Sequence, residues 1–132
     1  MHPMKALRQY QKVNSHAQAS EASPHRLVQM LMQGTLDRLA QAKGAMARDQ
    51  LAEKGMLLGK AIEIIGGLRE GLDPEKTDDK KGIARLDQLY AYMMRQLIQA
   101  NRKNDPTIVD EVARLMITVK AGWDAIGHVA QE

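Results

Sequence analysis

The stretch 60-KAIEIIGGLREGLD-73 decides the fold. Gly66 and Gly71 stand in the G-x-x-x-x-G frame of a phosphate-cradling loop, and an aliphatic run precedes them as a buried strand would. A loop of that kind needs Lys and then Ser or Thr after the second glycine, for the phosphates and Mg²⁺. Leu72 and Asp73 occupy those places, and an aspartate repels phosphate. The aliphatic residues also belong to a longer pattern: Leu58, Ala61, Ile65, Leu68 and Leu72 step by three or four, as one face of a helix requires. The stretch reads as helix.

Working outward, helical periodicity recurs in four blocks and strand signals are nearly missing. Ser23-Pro24 combines a strong N-cap with the residue favoured at the first helical position, and predicts a helix over about 24–48. Asp49 is the expected cap of a second helix over about 50–72, which Pro74 and the polar loop Asp73–Gly82 terminate. A third follows over about 83–103. Asn104-Asp105-Pro106 then repeats the cap-plus-proline signal ahead of a fourth over about 106–129. Core stripes are expected at Leu86, Leu89 or Tyr90, Met93 and Leu97 on the third helix. On the fourth they are Ile108, Val112, Leu115, Val119, Trp123 and Ile126. Four such helices with short connections predict an all-α, antiparallel up-down-up-down four-helix bundle over residues 23–132. Residues 1–22 form a short, mobile N-terminal segment. Its Met4, Leu7, Tyr10 and Val13 make one narrow sticky edge, fit for a frayed tail or for reversible docking on the bundle.

With 132 residues the chain fits one domain with a real core. Its apolar fraction is 44%, but aromatic residues make up only 3% and Phe is absent, so Leu, Ile, Ala and nine Met must do the packing. The formal charge of +3 is mild, and no basic block demands a nucleic acid. Without Cys there is no disulfide or thiolate metal site, which suits a reducing compartment. No run approaches the roughly 18 apolar residues of a membrane span, and the amino end has no apolar signal core. The expected location is cytoplasmic.

Catalytic and cofactor readings fail on spacing. A di-iron bundle needs inward Glu residues and Glu-x-x-His pairs, which are missing. His2, His16, His25 and His128 are scattered over tail and helix-end positions and read as solvated. Neither a metal, a cofactor nor a small-molecule ligand is expected, and the chain reads as a non-enzyme. Tyr90 and Tyr92 lie near Arg95 and Arg102 as a nucleic-acid surface would want, but acidic residues flank them. A small basic helical nucleic-acid-binding or regulatory protein is therefore the alternative reading, and nucleic acid is not the expected partner.

Two features are positive. On the first helix the polar strip Gln29, Gln33, Asp37 and Gln41 is narrow, and apolar residues fill most of the remaining circumference. That helix either sits centrally or meets another chain or the N-terminal segment. On the second, Gly55, Gly59 and Gly66 fall within roughly 40° of one another, with Ile62 among them. Each glycine costs a helix interior about 1 kcal/mol relative to Ala, so three in line suggest close approach to the backbone. The approaching element is a neighbouring helix of the bundle or a partner's helix.

These residues carry a resemblance. SPHRLVQMLMQG, KGMLLGKAIEIIGGLREGLDPEK, LDQLYAYMMRQLIQANRKND, IVDEV and GWDAI resemble the flagellar secretion chaperone FliS family across nearly the whole chain, and Leu7 and Tyr10 match its amino-terminal pattern. The resemblance implies an antiparallel helical bundle that binds the disordered C-terminal segment of flagellin in the cytoplasm. Such binding prevents premature polymerisation and keeps the subunit competent for flagellar type III export. The complex then meets an export gate component at the membrane. It also implies an N-terminal segment that covers part of the flagellin groove. On that reading Leu7 and Tyr10 cap the groove. Ile62, Ile65, Leu68, Tyr90, Tyr92, Met93, Met94 and Leu97 are candidates for its walls, and Gly55, Gly59 and Gly66 form the close-approach strip. The apolar excess also allows a weak homodimer when the client is absent. In one place the chain departs from the pattern: TDDKKGIAR stands where the family usually has G-G-E-I-A after LDPEK.

Overall fold

Ser23 starts the bundle as its sequence demands. Its hydroxyl accepts from the Arg26 amide at 3.1 Å, and Pro24 fills the first helical position. The computed structural model describes residues 22–130, with side chains to Gly127, and four α-helices lie among these described residues. They are α1 (Pro24–Ala47), α2 (Leu51–Glu70), α3 (Lys80–Lys103) and α4 (Pro106–Ala130), with a 3₁₀ turn at Pro74–Lys76. α1 packs on α2 and α4, and α3 packs on α2 and α4, so consecutive helices are neighbours around the bundle. This is the all-α up-down-up-down architecture. None of the described helices is long and apolar enough to cross a membrane.

The connections show where local chemistry outruns the simple cap signals. Asp49 does not cap α2. Its φ is 58°, and it closes α1 instead. The Asp49 amide donates to the Met46 carbonyl at 3.2 Å and the Gln50 amide to Ala45 at 2.9 Å, the paired bonds of a left-handed helix stop. Asp tolerates that conformation better than most side chains, so the residue suits either role. α2 then begins without a side-chain cap bond. Asn104 repeats the stop after α3 with φ 50°, and Asp105 opens α4 by accepting from the Thr107 amide at 2.9 Å.

α3 begins three residues earlier than the periodicity suggests. Asp79 accepts from the Gly82 amide at 2.9 Å, and a Cβ at residue 82 would press on that carboxylate. The departure TDDKKGIAR thus builds its own helix start. The Lys80-Lys81 pair hides it, because cations are unfavourable at a helix N-terminus.

The core holds Met32, Leu39, Leu58, Ile65, Tyr90, Met93 and Leu97 with almost no exposure. On α4 the fully buried line is Val109, Val112 and Met116; Ile108, Leu115, Val119 and Trp123 flank it, half-buried. α4 touches both α3 and α1, which widens its buried arc. Ile126 is 60% exposed, contrary to its place in the expected stripe. The antiparallel register fixed by the Tyr92–Glu111 bond carries Ile126 past the start of α3. α1 buries the consecutive residues Met30, Leu31 and Met32, which absorbs much of its apolar excess.

At the junction of α1 and α4, the His25 ring stacks on Trp123 with centroids 4.6 Å apart and planes at 12°. The Trp123 indole N–H donates to the His25 carbonyl at 3.0 Å. His25 is therefore a packing residue and not a solvated one. Beside it, Gln29 donates to Asp124 at 2.6 Å and Lys120 pairs with the same carboxylate at 2.9 Å. The Lys120 ammonium, with help from Gln29, holds the Asp124 carboxyl below its ordinary range.

Candidate functional site

The glycine strip of α2 faces α3. Gly55 lies against the Asn101 side chain of α3, where a Cβ would make ordinary contact at 3.9 Å. One turn on, Gly59 is exposed, and a Cβ there would meet nothing within 4 Å. Helical spacing continues the line through half-buried Ile62 to buried Gly66. The matching line on α3 is Asp87, Met94, Ile98 and Asn101, at spacings of seven, four and three. Met94 is half-buried and Ile98 is 50% exposed. The two lines run side by side as glycine on α2 beside aliphatic and thioether side chains on α3, a candidate groove that holds an open depression at Gly66 and Met94.

Polar contacts pin the groove at both ends. At one end Arg69 Nε meets Asp87 Oδ1 at 2.8 Å, beside a depression of about 240 Å³ that Gly66, Glu70 and Met94 also line. The pairing lowers the Asp87 pKa and raises that of Arg69. At the other end Lys54, only 6% exposed, donates to the Asn101 carbonyl at 3.1 Å and to Asn104 Oδ1 at 3.2 Å. A cation at the C-terminal carbonyls of α3 is favoured by the helix dipole. Between these anchors no polar contact ties α2 to α3 among the described residues.

The expected wall residues divide by geometry. Ile62 and Met94 edge the groove, and Gly55, Gly59 and Gly66 run along it. Ile65, Leu68, Tyr90, Met93 and Leu97 are core residues, so as groove walls they are corrected to scaffold. Tyr92 lies on the opposite side of α3, where its hydroxyl donates to Glu111 Oε1 at 2.9 Å; this bond, with some desolvation, raises its pKa. Leu7 and Tyr10 fall outside the described residues. Ile98 and the two polar anchors were missed. The signal was present, since Asp87, Met94, Ile98 and Asn101 keep helical spacing one position away from the core stripe of α3.

No group of three or more His, Cys, Asp or Glu among the described residues could hold a metal. Fold and geometry together define a small all-α bundle whose second and third helices set a glycine line beside an aliphatic and thioether line. Its sequence matches the family model described as flagellar protein FliS over residues 6–130, and the chain belongs to that family. It is 57% identical to the flagellar secretion chaperone FliSB of Pseudomonas aeruginosa, over 97% of this chain and all of the other. It is 47% identical to the flagellar secretion chaperone FliS of Vibrio cholerae, over 92% and 88% of the two chains. For the protein of that name in Salmonella typhimurium the figures are 35%, over 98% and 96%.

Proposed function

We propose that this chain is a cytoplasmic export chaperone whose α2–α3 groove holds the C-terminal segment of flagellin. The observation that carries the reading is Gly59: an exposed glycine inside a helix, in line with Ile62 on the side of α2 that turns towards Met94 and Ile98 of α3, where a Cβ would meet nothing within 4 Å. A glycine that packs against nothing weakens α2 with no return inside the free bundle. A client helix laid in the groove supplies the missing neighbour and gains by burying its apolar face, at roughly 25 cal/mol per Å². Ordering a disordered segment offsets much of that gain, so the contact must be wide. Binding, not catalysis, is the activity. Masking the segment stops premature filament assembly and keeps the subunit competent for type III export, and the complex is then handed to a gate component at the membrane.

On this reading Leu7 and Tyr10 cover the same surface before the client arrives. Tyr10→Ala then tightens client binding, and an unchanged affinity would argue against the cap. A seeded filament-growth assay with flagellin monomer tests the function. The chain should suppress elongation in proportion to its amount, and undiminished growth at excess chaperone would overturn the proposal.

A further inference from the structure

The charge of this protein is concentrated on one helix. Lys80, Lys81, Arg85, Arg95, Arg102 and Lys103 lie on α3, whose one acidic residue, Asp87, is paired with Arg69 of α2. α3 alone therefore carries six basic residues against one acidic, a larger imbalance than the +3 of the whole chain. All six are exposed, and none is in a salt bridge among the described residues. Lys81, Arg85, Arg95, Arg102 and Lys103 fall within about 100° of arc and extend over about 33 Å of helix. Helix stability does not account for the set. Arg102 and Lys103 suit the C-terminal end of α3, but Lys80 and Lys81 sit where the helix dipole disfavours cations.

We propose that the outward face of α3 is a docking stripe for an acidic segment of a second protein, on a surface separate from the α2–α3 groove. The stripe is narrow. Glu70 and Asp87 lie along its α2 side, and Glu111 of α4 lies along the other, bonded to Tyr92. A flat anionic membrane or a DNA duplex would spread over those carboxylates and be repelled. A single acidic polypeptide segment fits between them. Arg95, 6.0 Å over the Tyr92 ring, gives the stripe a stacked cation–aromatic pair midway along its length.

The test uses the full chain and a fluorescein-labelled peptide of alternating Glu and Ala, read by anisotropy at low salt. Arg85→Gln/Arg95→Gln/Arg102→Gln should weaken peptide binding by roughly tenfold. Arg26→Gln/Arg48→Gln/Lys60→Gln removes the same charge from α1, α2 and their turn, and should leave binding within about twofold. In the unaltered chain, amide shifts induced by the peptide should map to α3, which keeps the test decisive if a variant misfolds. Equal loss in both variants, shifts away from α3, or no peptide binding would overturn the proposal. So would tighter binding of a DNA duplex or of phosphatidylglycerol vesicles than of the peptide. Flagellin binding is read separately, because the variants leave the α2–α3 groove intact.

Discussion

Lys54 of α2 reaches across the bundle to Asn104, its ammonium 3.2 Å from the side-chain oxygen of the residue that stops α3. The same nitrogen donates to the Asn101 carbonyl, so one buried cation ties a backbone and a side-chain acceptor at the end of α3 to the neighbouring helix. Lys54→Met keeps the apolar stem and removes the donor. The expected loss is about 1 kcal/mol in urea denaturation, with the groove loosened at that end. An unchanged midpoint would show that the contact contributes nothing.

Gly59 and Gly122 make a matched pair for separating stability from binding. Both are exposed, and a Cβ at either would meet nothing within 4 Å. Ala at either position should therefore stabilise the free protein by up to about 1 kcal/mol. Only Gly59 lies in the groove. Gly59→Ala should weaken the complex with flagellin while Gly122→Ala leaves it unchanged. Equal client affinity in the two variants would remove Gly59 from the binding surface.

Gly127 exists to make room for His25. A Cβ at residue 127 would overlap the imidazole stacked on Trp123. Gly127→Ala should cost about 1–3 kcal/mol through overpacking, and change the fluorescence of Trp123, the chain's single tryptophan. His25→Ala in that background should recover part of the loss, because the two changes share one contact. Additive losses would contradict the clash.

Tyr90 gives the alkaline limb of stability a specific cause. Burial pushes its phenol up from 10 to about 12. The unfolded chain loses this proton first, so the contribution is complete below pH 10 and is lost as pH rises from 10 to about 12. At roughly 1.4 kcal/mol per unit, the wild type should lose about 2–3 kcal/mol relative to Tyr90→Phe across that window. Parallel stability profiles for the two proteins would contradict the burial argument.

The helical architecture was legible because each helix carries its own periodicity, and because Ser23-Pro24 and Asp105-Pro106 act locally. Asp49 was not, since one side chain suits both an N-cap and a left-handed stop, and only the path of the chain selects between them. The groove was half legible. Its glycine line could be drawn on α2 alone, whereas its α3 edge depends on which flank of a broad apolar arc turns towards α2. That choice belongs to packing, which buries Tyr90, Met93 and Leu97, leaves the expected Met94 half-buried and exposes Ile98, which periodicity alone did not single out.

Calorimetry of the full chain with a flagellin C-terminal peptide, at two temperatures, tests the central claim most directly. A complex should form at micromolar concentrations with an enthalpy that grows more negative on warming, the mark of buried apolar surface, and with an affinity that falls in Gly59→Ala. No detectable heat or complex at either temperature would contradict it.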